Sequence, residues 1–363
     1  MGGRLLLAIA ASSIVALSGP FVGEINNALQ NAFPGQHLRI VFAAVVAPAF
    51  VGLTLALARI RENRLFRLGA LAFAVLIALS YVAVMQPLYT EQFHLTEYGL
   101  LTFLFCRVWR SRGDVTALVL PVIATFVTGM ADEWFQWFIP SRVGELRDVL
   151  LNGVGIACGL LFAVGLNPPS GAGRPVDRRS VRALGIGAGV LIASMAVFLQ
   201  CVHLGFEIVD PAIGTFRSRF APETLHELSA DRSTRWQTGV PAAPLISRED
   251  HYLSEARFHI QERNDVLEDG DAAAAWHENQ ILEAYYRPVL DLAMAASRWP
   301  PEQRTDVEMR AAADARAYVS DAYPLPIYAW SRLAFWSAVI VLLGVVAGWT
   351  FSRRPTLSSA ATV

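Results

Sequence analysis

Long apolar runs, each close to the length of a membrane-crossing helix, set the plan of this chain. About 20 mostly apolar residues are needed for a helix to cross the hydrocarbon core of a bilayer. Seven runs come near that length or exceed it: residues 5–22, 38–58, 68–85, 115–140, 149–166, 181–204 and 333–351. An eighth, residues 94–108, is shorter and carries Glu97; it counts as a span because omitting it breaks the alternation of loop charge described below. The pattern predicts an all-α fold, a polytopic membrane helix bundle of about eight spans. Between the seventh and eighth spans, residues 205–328 are long enough for a small domain. Its first part, through Pro244, is rich in Pro, Arg and Thr and reads as irregular. Helical periodicity then runs over 249–267, resumes after Gly270 over 272–296, and returns over 307–321 before the turn at Pro324 and Pro326. An α-helical insert domain follows from this.

The resulting organisation is a pair of N-terminal spans (1–64), a membrane core (65–166), a loop and seventh span (167–204), the insert (205–328), and a last span with its tail (329–363). The first span has a rival reading. Arg4, an apolar stretch and then Ala16-Leu17-Ser18-Gly19 also fit a cleavable signal segment. The apolar stretch runs on through Phe21 and Val22, which favours a retained span.

Arginine placement orients the bundle. Arg59, Arg61, Arg64 and Arg67 follow the second span, and Arg107, Arg110 and Arg112 the fourth. Arg174, Arg178, Arg179 and Arg182 follow the sixth, and Arg353 and Arg354 the last. The loops at 24–37 and 86–93 hold no Arg, and the short loop at 141–147 holds two. Every second loop is basic, so the expectation is a bacterial cytoplasmic membrane, both termini in the cytoplasm and residues 205–328 extracytoplasmic.

Composition agrees with lipid as the solvent. Hydrophobic residues make up 54% of the 363 positions and charged residues 17%, against about a quarter charged in soluble domains. Mean hydropathy is +0.40. The net charge of −1, with no basic tract interleaved with aromatics, argues against a nucleic-acid partner. Cys106, Cys158 and Cys201 all fall inside apolar runs, so no disulfide framework is expected. No nucleotide loop, dinucleotide-binding glycine motif, haem attachment site or nucleophile elbow occurs, and no cofactor is expected.

The candidate chemistry lies in ionisable residues inside the spans, where such groups are costly and usually face a bundle interior or wet cavity. His94, Glu97 and Tyr98 open the fourth span, while Asp132, Glu133 and Gln136 close the fifth. Arg142, Glu145, Arg147, Asp148 and Asn152 follow across a short turn. Asp132 and Gln136 are four apart on one helix, as are Asp148 and Asn152 on the next, so each pair shares a face. The antiparallel turn brings the two pairs together, and the fourth span can add its residues at the same level. The acids exceed what two arginines neutralise, and carboxylates in a low dielectric suit proton transfer, cation binding or acid–base work. The competing reading is an ion-paired network that holds three helices in register. Asp132, Glu133, His94 and Glu97 are the candidate catalytic groups; Gln136, Arg142, Asp148, Asn152 and Tyr98 are candidate binding groups.

In the insert, His251, Glu255 and His259 step by four along a helix, a spacing able to ligate a divalent metal. The H-E-x-x-H signature of zinc proteases is absent, and a solvated, ion-paired face explains the same spacing. No resident metal is therefore expected.

The polar positions also carry a likeness. Phe93 to Leu101, the run Asp132-Glu133-Trp134-Phe135-Gln136-Trp137-Phe138-Ile139-Pro140-Ser141-Arg142, and Asp148-Val149-Leu150-Leu151-Asn152-Gly153-Val154-Gly155 resemble the VanZ-like family. That family shows D-E-x-x-Q-x-x-x-P-x-R followed by D-x-x-x-N-x-x-G. The resemblance covers about residues 65–166; Gly144-Glu145 departs from the small residues usual after the Arg. It implies a membrane protein of the bacterial cell envelope, in a family whose founding member is associated with low-level resistance to the glycopeptide teicoplanin. No reaction is established for the family. The expected partners are membrane lipid, a lipid-linked or cell-wall component, and a protein partner for residues 205–328. The alternative is a non-enzymatic anchor, sensor or assembly subunit that works through the insert.

Overall fold

The computed structural model describes residues 2–21, 28, 30–34, 54, 57–58, 60–85, 91–139, 144–169, 173–241, 251–312, 317–323 and 327–352. The contacts divide the chain into two compact units: 1–136 with 144–198 and 337–363, and 137–143 with 199–336.

The first unit is built from apolar helices: α1 (Gly2–Ser18), α2 (Arg64–Met85), α3 (Glu91–Trp109), α4 (Thr116–Gln136), α5 (Leu146–Leu166), α6 (Arg178–Val202) and α11 (Arg332–Ser352). Among the described residues, five helices are long and apolar enough to cross a membrane: α2, α4, α5, α6 and α11. α1 is apolar but shorter, at 17 residues. α3 has the length, at 19 residues, but Glu91, Glu97 and Arg107 dilute its apolar character. Nearly all of the expected span at 38–58 lies outside the described residues. The chain is thus a helical membrane protein, with five of the eight expected spans visible as such. Leu76, Leu79, Ile340, Val341 and Val345 stand exposed on these helices, as lipid-facing side chains do.

α5 lies at the centre, packed against α2, α3 and α4, while α1 packs on α3 and α4. Glycines bring α3 and α5 to backbone contact. A Cβ on Gly159 would stand 2.2 Å from the Gly99 carbonyl oxygen, and one on Gly155 2.8 Å from that of Leu95. Where lipid is the solvent, close approach of this kind drives helix association.

Arginine-bearing helix ends gather at one end of this unit. Arg67 donates to the carbonyls of Gly165 and Leu166 at the C-terminus of α5, where cations also meet the negative end of the helix dipole. Arg4 donates to the Arg107 carbonyl. Asp114 caps α4 by accepting from the Thr116 amide and hydroxyl, and Asp177 accepts from the Ser180 amide at the start of α6. The N-termini of α3 and α5 and the C-terminus of α4 lie at the opposite end.

The second unit departs from the expected all-helical insert. The stretch read as irregular forms an antiparallel hairpin, β1 (Phe206–Asp210) with β2 (Gly214–Ser218), and a helix, α7 (Pro222–Arg235). Ile208 faces Phe216 across the ladder, and both are buried. Each five-residue strand has too few inward positions to declare its alternation in sequence. α7 starts with Pro222 inside its first turn, where a missing N–H costs nothing. α8 (His251–Glu268) and α9 (Ala272–Tyr285) follow the expected periodicity; beyond Tyr285 the second of these gives way to a π-turn at Val289–Ala293. The third expected helix is displaced. α10 spans Pro301–Ala311, and the chain is extended by Val319, which bridges to Thr215. Tyr318 there donates to buried Glu278, and its carbonyl accepts from the Thr215 amide, so extension satisfies groups that a helix would leave unpaired. Phe216, Leu225, Tyr252, Ile260, Leu282 and Tyr286 form the core.

Candidate functional site

The polar residues of the first unit converge where α3 and α5 begin and α4 ends. Asp132 is one turn from the end of α4, about 6 Å at 1.5 Å per residue. It is 2% exposed and Glu133 is fully buried. Two neighbouring carboxylates so deep in a helix bundle require donors. Tyr98, itself fully buried, donates its hydroxyl to Asp132 Oδ2 at 2.8 Å. The Gln136 amide donates to Asp132 Oδ2 at 3.3 Å and to Glu133 Oε1 at 3.4 Å, as expected for residues three and four apart on a helix. The backbone N–H of Glu145 donates to Glu133 Oε2 at 3.1 Å.

Helix approach sets these bonds. A Cβ on Gly144 would lie 2.0 Å from the Glu133 carbonyl oxygen, so a residue without a side chain lets the chain after the turn come close enough for Glu145 to reach the carboxylate. The Gly144-Glu145 departure from the family pattern is thus built into the site. Gly129, one turn below Asp132, makes room for both the Tyr98 ring and the Asn152 amide, each 3.2 Å from where its Cβ would stand.

His94 stacks on Tyr98, with ring centroids 5.9 Å apart and planes 5° from parallel. Ligating atoms of His94, Asp132 and Glu133 lie within 4.8 Å of one another. Asn152 is 1% exposed, and neither its amide nitrogen nor its oxygen has a hydrogen-bond partner among the described residues. Glu97 and Asp148 are half-buried at the same helix ends, and Arg147 is exposed. Arg142 lies outside the described residues. The structure therefore joins His94, Tyr98, Asp132, Glu133, Gln136 and Asn152 in one cluster. The Glu145 amide was not separable as a donor in sequence, because no side-chain letter marks a backbone N–H.

The histidine series of the insert is distributed otherwise. Glu255 accepts from the Ser218 and Tyr286 hydroxyls at 2.6 and 2.8 Å and from the Arg219 amide at 3.0 Å. His259 Nδ1 pairs with Glu278 at 2.6 Å. His251 Nε2 faces the Trp137 carbonyl oxygen at 2.9 Å, and its Nδ1 faces Arg219. Glu255 and His259 thereby serve the core of the second unit. The Glu278 carboxyl is pushed up by burial, but His259, Ser320 and Tyr318 outweigh this and hold it below the ordinary carboxylate range.

A family model described as VanZ/LLP1 matches residues 43–167, which includes every member of the membrane cluster. No curated protein matches the chain, and no solved structure does.

Proposed function

Starting from a VanZ-like membrane segment at residues 43–167, we propose that this protein binds or modifies a cell-envelope lipid or cell-wall component through the cluster around Asp132. One observation carries the reading: Asp132 and Glu133 are buried, yet anchored by Tyr98, Gln136 and the Glu145 amide at the end of the bundle opposite Arg4, Arg67 and Arg107. The positive-inside rule makes the arginine-bearing end cytoplasmic, so the cluster faces the outer leaflet of the bacterial cytoplasmic membrane. Both termini are then cytoplasmic, and residues 205–328 lie outside.

In this reading Asp132 or Glu133 is the acid or base, His94 relays the proton, and Arg142 holds an anionic head group such as phosphate. Asp132→Asn, Gln136→Ala and Arg142→Ala, expressed at normal levels in a glycopeptide-sensitive host, should each change teicoplanin susceptibility relative to the parent chain. Unchanged susceptibility in all three counts against the reading.

A second reading is supported by the insert having a core of its own. There the helices anchor a module that recruits a protein partner. Deleting residues 205–328 should then abolish the phenotype, while the substitutions around Asp132 leave it intact.

A further inference from the structure

We propose that His94, Asp132 and Glu133 form a binding site for one divalent transition-metal cation, of the Zn²⁺ or Mn²⁺ class. The inference deepens the functional reading above and rests on the same cluster, but it concerns what the cluster holds rather than what it acts on.

The first support is geometric. Each of the three residues offers a ligating atom, and all three atoms lie within 4.8 Å of one another. Ligands on opposite sides of a cation are separated by about twice the bond length, hence about 4 Å for zinc and nearly 5 Å for larger ions. The 4.8 Å span is an upper bound, and side chains that close by up to about 0.8 Å bring the three atoms around one zinc-sized ion. Among the described residues no other group of three His, Cys, Asp or Glu side chains meets this condition.

The donor set narrows the metal. One imidazole with two carboxylates is too hard for copper(I) and softer than the all-oxygen shells of calcium or magnesium. Three protein ligands leave at least one position open, the arrangement of a catalytic rather than a structural site. A phosphate or carbonyl oxygen of an envelope component would occupy that position.

The surrounding residues do what an outer shell does. Ligating carboxylates are normally themselves hydrogen-bonded, which fixes their orientation. Here Tyr98 and Gln136 hold Asp132, while Gln136 and the Glu145 amide hold Glu133. These bonds fix the orientation of both carboxylates, as an outer shell does.

An independent observation points to a missing ligand. Asn152 is 1% exposed, beside the Tyr98 ring and against Gly129, and both polar atoms of its amide lack a hydrogen-bond partner among the described residues. Leaving a buried amide without partners costs stability, so such a group calls for a ligand. A metal-bound water or ligand oxygen in the cluster would satisfy it.

The test uses the full-length, tag-free protein in detergent, stripped with chelator and titrated with Zn²⁺ or Mn²⁺ alone. Calorimetry and elemental analysis after dialysis should give about one equivalent per chain. His94→Ala, Asp132→Asn and Glu133→Gln should each weaken binding at least tenfold, whereas His226→Gln in the insert should not. Tyr98→Phe should weaken it less than any of the three. Stoichiometric binding that the three substitutions leave unchanged overturns the proposal, and so does the absence of any bound equivalent in the parent chain, which decides the matter even if a variant fails to fold. Because no lipid enters the titration, the lipid reading is judged separately, by binding to vesicles with and without phosphatidylglycerol. Metal binding without vesicle binding would sink that reading and leave this one standing.

Discussion

Tyr98 ties the cluster together: its ring lies along His94, and its hydroxyl meets Asp132 at 2.8 Å with no exposure to solvent. A hydrogen bond to a charged acceptor contributes about 1.5–3 kcal/mol, and its loss leaves a buried carboxylate less satisfied. Tyr98→Phe should therefore lower the unfolding free energy in detergent by about that amount while leaving the helix content intact; an unchanged transition would mean that Asp132 is held by other groups. The turn between His94 and Tyr98, and the step from Asp132 to Gln136, were legible in the sequence because both follow from helix geometry. The pairing of Tyr98 with Asp132 was not. It depends on how far α3 is rotated against α4, and Gly129 sets that by admitting the Tyr98 ring. Asn152 was legible as a member of the cluster, but its lack of partners belongs to the packed state alone.

At the level of helices and strands, the glycine seam between α3 and α5 positions the cluster. Gly155 and Gly159 stand four apart, a spacing of small residues that lets helices approach closely, and their partners are the backbone of Leu95 and Gly99. Gly159→Val would place its first carbon 2.2 Å from the Gly99 carbonyl oxygen, so the helices must separate. Overpacking of this kind costs about 1–3 kcal/mol or more. The variant should melt earlier in detergent and, by moving His94 away from Asp132 and Glu133, should lose whatever ligand the cluster binds. A normal melting profile would show that the seam tolerates expansion. The spans α2, α4, α5, α6 and α11 were legible from their length alone. The hairpin at Phe206–Ser218 was not, since its inward positions are few and its residues Ile208 and Phe216 find each other across a turn. The shift from the expected third insert helix to α10 likewise reflects a tertiary demand, the bonds of Tyr318 to Glu278 and Thr215.

For the whole molecule, the two units respond to different variables. The second should be acid-sensitive. Hydrogen bonds from Arg304 hold the Glu283 carboxyl low despite partial burial, and His259, Ser320 and Tyr318 hold Glu278 low against stronger burial. A carboxylate with a depressed folded pKa stabilises above its unfolded value, about 4.3 for Glu, and that stability is lost as pH falls through the folded value. Glu262, raised by burial and by Glu278, Asp321 and Asp265, opposes the trend. Asp231, where desolvation is outweighed by Arg232 and Arg235, is also held low and acts in the same direction as the first two. Three depressed groups against one predict a net fall in melting temperature below about pH 4, and Glu283→Gln should flatten it; a melting temperature that rises on acidification would contradict the balance. The first unit answers to the membrane, and its polarity is written in the arginines. Loop charge predicts an orientation before any helix is placed, and Arg4 and Arg67 donate to carbonyls at the C-terminal ends of α3 and α5. The most direct test of the account is accessibility of single cysteines, introduced after Cys106, Cys158 and Cys201 are replaced. A membrane-impermeant thiol reagent applied to intact spheroplasts should label Arg147→Cys, beside the cluster, and should reach Arg110→Cys only after permeabilisation. Labelling of Arg110→Cys in intact spheroplasts, with Arg147→Cys protected until the membrane is opened, would place the cluster on the cytosolic face and contradict the account.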